Sequence, residues 1–314
     1  MQVFHSFEEV AGCPNAVIAL GTFDGIHLGH QKVMQEAMKK AKSINGTAVV
    51  VTFSAHPFSV LCPQREPVRL ATAEQKIRYI SDLGIDALVL LPMNRTLISE
   101  THVDFTNQLL KYLKPRGVVV GDNFTYGAKA AGNTATLKAA LMQQDIPVYV
   151  LPLLETPGRT APISSTVIRK AVQLGHMEMA AALLGRTYEL EGMVVEGDKR
   201  GHTIGFPTAN MLIPLQMAIP PDGVYVTEMK AGEYWLPAMT NIGANPTFTN
   251  QYRRIETHIL DWQGKLYGEK VCVRFYKRLR KEVKFTNAED LIHQMELDRS
   301  QTLSYFSKME NCKA

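Results

Sequence analysis

Short apolar runs alternate with segments of helical periodicity through the first half of the chain. The apolar runs that predict strands span residues 16–20, 47–53, 87–91, 117–120 and 148–151. The segments that predict helices span residues 30–41, 73–83, 103–113, 134–143, 166–174 and 177–184. Strands that alternate with helices predict an α/β domain built on a mostly parallel sheet. In such a sheet, ligands bind beyond the carboxyl ends of the strands.

The pattern changes after Gly185. Short apolar strands are then separated by clusters of Gly, Pro, Asp and Asn, and these strands span residues 189–196, 224–229, 235–241, 255–260 and 271–276. A helix is predicted over residues 288–298. Regular short strands with turn signals predict a small antiparallel β-barrel, closed here by a C-terminal helix. We therefore expect two domains, residues 1–184 and residues 185–314.

Composition narrows the classes of protein that this chain can belong to. Its 314 residues are enough for two separate cores, and its formal net charge is only +4. This balance fits small anionic substrates better than nucleic acid, for which a concentrated basic stripe is expected. The cysteines are isolated from one another, so neither a zinc site nor a disulfide framework is indicated. We expect a cytoplasmic protein with no membrane partner, a monomer or a weak homo-oligomer.

A phosphate-binding segment is predicted between the first strand and the first helix. Residues 21–30 read G-T-F-D-G-I-H-L-G-H. His27 and His30 share a face at helical spacing, and Gly29 between them lets a phosphate approach closely. Two imidazoles at a helix N-terminus can stabilise phosphoryl oxygens as negative charge develops in a transition state. The alternative is a strand–turn–helix that carries a histidine pair on its surface.

A second segment fits the same kind of ligand. Ser164, Ser165 and Thr166 precede or open a predicted helix that carries Arg169. Hydroxyl side chains at a helix start are often caps and nothing more. With the arginine, they also form a plausible cradle for a leaving pyrophosphate.

The third segment lies in the predicted barrel, where residues 197–210 form a glycine-containing loop that enters a strand. Thr208 and Asn210 point the same way at strand spacing, and their oxygens suit Mg²⁺. Glu256, on a later predicted strand, is a candidate general base. Glu269 is a competing candidate, and a solvated surface glutamate is the common alternative for either residue.

Together these strings resemble the prokaryotic bifunctional FAD synthetases, which are riboflavin kinases and FMN adenylyltransferases. The resemblance rests on G-x-F-D-G-x-H-x-G-H, the later I-S-S-T-x-I-R and the G-F-P-T-A-N hallmark of residues 205–210. Further matches span residues 56–57, 121–132, 184–186, 222–225, 241–248, 256–261, 266–268 and 285–295. The resemblance implies a Rossmann-like nucleotidyltransferase domain followed by a six-stranded barrel. It implies phosphorylation of riboflavin to FMN and adenylylation of FMN to FAD, with ATP as the donor and Mg²⁺ as the cofactor.

The resemblance also implies roles for individual residues. The catalytic residues are Glu256, His27 and His30. The residues that bind ATP or its phosphates are Gly21, Phe23, Asp24, Gly29, Ser164, Ser165, Thr166, Arg169, Gly197, Lys199, Gly205, Pro207 and Thr208. The flavin-binding residues are Asn123, Phe124, Tyr126, Arg280 and Phe285. The metal ligands are Thr208 and Asn210.

The chain departs from the family pattern near the predicted flavin site. Asn123 stands where the family has an aspartate, and Ala130 stands where it has an arginine, although Lys129 can supply a neighbouring charge. These departures support an alternative in which the first half is a weakened or regulatory adenylyltransferase beside an intact kinase. A second alternative is a flavin sensor that binds without turnover.

Overall fold

The computed structural model describes residues 1–156, 161–197, 204–244 and 253–311 of the chain. The chain divides into two compact units, Met1–Ser165 and Thr166–Ala314. The two helices that precede Gly185 group with the second unit. The boundary predicted near Gly185 stays a prediction.

A six-stranded parallel sheet forms the centre of the first unit. Its strands are β1 (Gln2–Phe4), β2 (Val17–Leu20), β3 (Ala48–Phe53), β4 (Ala87–Leu91), β5 (Gly117–Gly121) and β8 (Val148–Leu151), and the short strands β6 (Thr125–Tyr126) and β7 (Gly132–Asn133) pair separately. The helices are α1 (Leu28–Ser43), α2 (Phe58–Leu61), α3 (Ala73–Asp82), α4 (Arg95–Ser99), α5 (His102–Gln108) and α6 (Thr134–Met142). The predicted parallel-sheet domain is confirmed.

Each face of this sheet is covered by helices. Ile18 and Leu20 of β2 pack on one face with Leu137 of α6, whereas the intervening Ala19 packs on the other face with Met34 of α1. Side chains alternate between the faces of a strand, so both faces of β2 are apolar. This explains why the strands appear in the sequence as continuous apolar runs.

The strand order places a ligand crevice at one point of the sheet. The order is β1-β4-β3-β2-β5-β8, so the chain moves from β2 outward to β4 and then returns to β5 on the opposite side of β2. Ligands of open parallel sheets bind where the order reverses, beyond the carboxyl ends of the strands. The loops that follow β2 and β5 meet this condition. They carry the Gly21–His30 segment and the segment that includes Phe124.

The second unit contains a closed six-stranded antiparallel barrel with strand order β10-β13-β12-β11-β14-β9. Its elements are α7 (Ser165–Leu174, which starts on the last residue of the first unit), α8 (Met177–Leu184), β9 (Tyr188–Val195), β10 (Ala209–Leu212), β11 (Gly223–Ala231), β12 (Tyr234–Ala244), β13 (Arg253–Ile259), β14 (Lys270–Arg280) and α9 (Ala288–Asn311). The predicted barrel and closing helix are confirmed. The helix is longer than predicted, since it continues beyond residue 298 to Asn311.

Three buried threonines identify the inner face of the barrel. Thr227 Oγ1 lies 2.9 Å from Thr240 Oγ1, which lies 2.9 Å from Thr257 Oγ1. These hydroxyls satisfy one another across three neighbouring strands. Because side chains alternate along β13, Glu256 and His258 project from the opposite, outer face of the barrel.

Two further findings concern the whole of the described chain. Cys13, Cys62 and Cys272 are free thiols. Within the described ranges, no helix has both the length and the apolar character needed to span a bilayer.

Candidate functional site

The loop after β2 has a strained backbone. Phe23 and Ile26 adopt φ angles of +47° and +44°, in the left-handed region. Aromatic and β-branched residues are rare in this region, because the side chain crowds the backbone. Such strain persists only where the surroundings hold it, and it is common at functional sites.

His27 caps α1 rather than belonging to it. The helix begins at Leu28, two residues before the start predicted at His30, and the His27 Nδ1 accepts the backbone N–H of His30 at 3.4 Å. The two imidazole rings stack with centroids 3.5 Å apart. A Cβ atom on Gly29 would lie 3.1 Å from His27 Cε1, so glycine gives the His27 ring its space. In a neutral imidazole, an accepting Nδ1 leaves Nε2 as the N–H donor.

Residues distant in sequence hold this loop in place. Phe23 is 2% exposed, and its ring packs edge-on against His30 with centroids 5.3 Å apart. Asp24 accepts from the Leu70 backbone N–H at 3.3 Å, and its carbonyl accepts from Ser165 Oγ at 3.0 Å. The two segments that were predicted to share a ligand therefore touch one another within the first unit.

The predicted cradle spans the division between the two units. Ser164 ends the first unit together with Ser165, whereas Thr166 and Arg169 lie on α7 in the part assigned to the second unit. Their roles in binding phosphate stay predictions.

A cavity of about 410 Å³ opens beside the same loop. Gly21 lies in its wall with Phe124 and Tyr126, whose rings stack at 5.3 Å. Asn123 is exposed in the turn just before them. Most of the remaining wall is apolar, and it includes Phe105. A flat aromatic ring system fits this lining.

Of the two residues that depart from the family pattern, Ala130 lines this cavity and Asn123 does not. Lys129 and Ala130 both line it, and both have φ angles of +54°. Glu100 lines it as well and accepts from the side chain of Gln108. Burial raises the pKa of the Glu100 carboxyl. The cavity wall thus has a lysine beside Ala130, the position where the resemblance leads us to expect an arginine.

In the barrel unit, strand register brings the predicted metal ligand and the predicted base together. Asn210 of β10 pairs with Glu256 of β13, which pairs in turn with Asn241 of β12. Arg254 joins them, because its Nη2 lies 2.5 Å from Glu256 Oε1 and its Nε donates to Asn210 Oδ1 at 3.3 Å. Sequence reasoning missed this arginine, although its position two residues before Glu256 places both side chains on one face of the strand.

The G-F-P-T-A-N turn is fixed by contacts on both sides. Gly205 has a φ of +83°, which favours glycine. His258 Nδ1 lies 2.7 Å from the Pro207 carbonyl oxygen, and burial lowers the pKa of this histidine. A side chain on Gly197 would collide with the amide of Asn210. Lys199 lies outside the described residues.

Residues of this turn line two cavities. One, of about 380 Å³, is lined by Thr208, Glu256, Arg280 and Phe285, so it brings together four residues predicted from the sequence. The other, of about 450 Å³, is lined by Pro207 and Thr208 and by the aromatic rings of Trp262 and Tyr267. Thr208 therefore lies in the walls of both.

Arg280 also pairs with a buried carboxylate of the closing helix. Its guanidinium forms a bidentate ion pair with Asp298 of α9, with contacts of 2.8–3.1 Å, and the Asp298 side chain is 3% exposed. This pair connects β14 to α9 and thereby forms one wall of the smaller cavity.

We expect Asp298→Asn to destabilise the barrel unit, because it leaves the Arg280 guanidinium without its counter-charge. Breaking a buried ion pair costs about 3–5 kcal/mol, and the partial exposure of Arg280 places this loss near the lower value. Urea unfolding monitored by circular dichroism measures it. Glu296→Gln, at an exposed position of the same helix, is the matched control. Equal losses of stability in the two variants would argue against a stabilising role for the Arg280–Asp298 ion pair.

Comparisons with known proteins find relatives that span both units of the chain. The family model for FAD synthetase matches residues 11–167, and the model for riboflavin kinase matches residues 184–306. A bifunctional riboflavin kinase/FMN adenylyltransferase from Bacillus subtilis is 37% identical over 298 residues, which cover 94% of this chain and 93% of that protein. The Escherichia coli K12 protein of the same name is 33% identical over 298 residues, which cover 94% and 93%.

A solved structure from Streptococcus pneumoniae, described as a macrolide-efflux protein, aligns with a TM-score of 0.85 and 31% identity. It covers 96% of this chain and 97% of that one. The chain belongs to the bifunctional riboflavin kinase/FMN adenylyltransferase family.

Proposed function

We propose that this chain makes FAD in two steps, each in one of its units. The barrel unit transfers the γ-phosphate of ATP to riboflavin and gives FMN and ADP. The first unit joins FMN to the AMP part of a second ATP and releases pyrophosphate. The observation that carries the proposal is the convergence of Thr208, Glu256, Arg280 and Phe285 on one cavity beside a second cavity that also contains Thr208.

In the kinase step, the ribityl 5′-hydroxyl oxygen attacks the γ-phosphorus, and the bond to the β–γ bridging oxygen breaks. Glu256 accepts the hydroxyl proton as the oxygen attacks. Arg254, which is ion-paired to Glu256, orients that carboxylate. Riboflavin occupies the cavity that Phe285 lines. ATP occupies the cavity that Trp262 lines, where an aromatic ring can stack on the adenine.

Mg²⁺ fits the oxygen donors of Thr208, which lines both cavities, and of Asn210 on β10. Thr208 supplies a hydroxyl oxygen and Asn210 supplies an amide oxygen, which already faces the guanidinium of Arg254 as an acceptor. Hard oxygen ligands suit this ion, which usually keeps waters and substrate phosphates in its shell. When bound, it neutralises phosphate charge as the γ-phosphoryl group is transferred.

In the adenylyl step, a phosphate oxygen of FMN attacks the α-phosphorus of ATP, and the bond to the α–β bridging oxygen breaks. The flavin ring occupies the cavity lined by Phe124 and Tyr126. His27 donates through Nε2, and with His30 it stabilises the charge that develops on the phosphoryl oxygens. Lys129 supplies the charge that an arginine supplies elsewhere in the family.

We further propose that the functional boundary falls between residues 184 and 185. The riboflavin kinase model begins at residue 184, which supports this choice. The three free cysteines of the described chain support localisation in the reducing cytoplasm.

Separation of products after incubation with riboflavin, ATP and Mg²⁺ tests the proposal. We expect FMN to appear first and FAD to follow. A second incubation starts from FMN and ATP, and there we expect FAD and pyrophosphate in equal amounts. FMN without FAD in both incubations would support the alternative with a weakened or regulatory first half. Bound flavin without consumption of ATP would support the sensor.

A further inference from the structure

A buried lysine lies behind the loop that carries the histidine pair. Lys76 of α3 is 6% exposed. Its Nζ donates to the carbonyl oxygen of Thr22 at 3.0 Å and to that of Phe53 at 2.8 Å. Thr22 belongs to the loop after β2, and Phe53 is the last residue of β3. Both residues line the cavity of about 410 Å³ described above.

The hydrogen bonds alone do not explain why a charged group is present here. Thr52 Oγ1 also donates to the Thr22 carbonyl, at 2.9 Å, so this oxygen has a neutral donor already. Burial of an ammonium group is costly unless nearby groups compensate for lost hydration. Asp24 provides part of that compensation, while Arg69 opposes it. A neutral side chain would avoid this cost.

The surroundings suggest what the charge does. Lys76 contacts the end of β3 and the loop that follows the adjacent parallel strand β2, on the edge of the sheet where ligands bind. The loop that it holds leads directly to His27 and His30. In the proposed adenylyl step, the negatively charged phosphates of FMN and ATP react beside these two histidines. A fixed cation in a poorly hydrated position acts on such charges more strongly than one in water.

We propose that Lys76 is a positioning residue of the adenylyl-transfer site. Its ammonium group holds the loop of residues 21–30 against the end of β3, and it supplies a fixed positive charge behind the histidine pair. This inference rests on the proposed adenylyl transfer.

Lys76→Met tests the proposal, because methionine has a similar length without charge or N–H groups. We expect the kcat for FAD formation from FMN to fall by about tenfold or more, as expected when reacting groups lose their alignment. FMN formation from riboflavin in the same polypeptide should change by less than about twofold, since the two steps use separate units. An unchanged kcat for FAD formation would overturn the proposal.

Thr52→Val is the matched control, because it removes the neutral donor to the same carbonyl and leaves the ammonium group in place. We expect it to lower FAD formation by no more than about fivefold, the effect of one neutral hydrogen bond. If it lowered FAD formation as much as Lys76→Met, general support of the loop would explain both results. The proposed role for the charge would then be wrong.

The pH dependence gives a readout that needs no variant. Burial lowers the pKa of Lys76 to about 8, against the attraction of Asp24 and with the repulsion of Arg69. The cation is present below that pH, so FAD formation by the wild-type protein should fall as the pH rises through about 8. Lys76→Met should lack this descending limb. Absence of the limb from the wild type, or its persistence in a folded Lys76→Met variant, would overturn the proposal.

Failure of this inference is distinguishable from failure of the proposed function. Wild-type protein that makes no FAD from FMN, ATP and Mg²⁺ at any pH would refute adenylyl transfer itself. Wild-type protein that makes FAD, together with a Lys76→Met variant of equal kcat, would refute only the role of Lys76.

Discussion

Replacing Glu256 by glutamine is expected to lower the rate of FMN formation by about 10²–10⁴-fold, the usual contribution of a positioned general base. Glutamine keeps the shape of the side chain but cannot accept the hydroxyl proton, and it loses the ion pair with Arg254. FAD formation from added FMN should be unchanged, because it takes place in the other unit. Initial rates of both steps, measured on the same preparation, check this expectation.

Glu269→Gln is the matched comparison, because Glu269 is the competing candidate for the base. Glu256 lines the cavity of about 380 Å³ beside Thr208, whereas Glu269 is exposed just before β14. We therefore expect Glu269→Gln to retain FMN formation. Loss of FMN formation in this variant, with its retention in Glu256→Gln, would assign the base to Glu269.

Replacing His30 by alanine is expected to lower FAD formation from FMN by about 10²–10³-fold, the effect of losing a preorganised donor to a developing oxyanion. The change also removes the ring that stacks on His27 at 3.5 Å and that packs against Phe23. FMN formation from riboflavin should be unchanged. A continuous assay for released pyrophosphate measures FAD formation, and separation of the flavins measures FMN formation from riboflavin.

His5→Ala controls for the loss of a histidine from the same unit, since His5 is exposed near the N-terminus. It should retain both activities. Equal loss of FAD formation in the His5 and His30 variants would contradict a specific role for the histidine pair in adenylyl transfer.

The regular parts of the fold could be predicted because their apolar patterns are long and consistent. The strand over residues 87–91 and the helix Met177–Leu184 were predicted with the bounds that the structure has. Strand β1 was not predicted, because Gln2–Phe4 has three residues and pairs only with β4 at the edge of the sheet. So short a segment has too few positions to show a period of two.

The start of α1 was misplaced for a chemical reason. Ser, Thr, Asp and Asn are the usual N-caps. Here an imidazole nitrogen of His27 takes that role. A histidine followed by a helical pattern does not signal a cap, so the helix was predicted to begin at His30 instead of Leu28.

The pairing partners of the site residues depend on contacts between distant parts of the chain. Lys76 reads as an exposed position on an amphipathic helix, since lysine is rarely buried. Its partners, the carbonyl oxygens of Thr22 and Phe53, are distant in sequence and are known only from the structure. The burial of Asp298 could be inferred from the sequence, because helical spacing places it on the same face of α9 as the half-buried Leu291 and Met295. A carboxylate on such a stripe indicates a buried partner, which the structure identifies as Arg280.

Mixing two complementary variants tests most directly whether each unit carries one complete reaction. Glu256→Gln alone and His30→Ala alone should each make almost no FAD from riboflavin, ATP and Mg²⁺. An equimolar mixture should make FAD, because FMN released by the His30 variant is adenylylated by the Glu256 variant. If either variant, folded like the wild type, lost both steps, so that the mixture made no FAD, the assignment of one complete reaction to each unit would be contradicted.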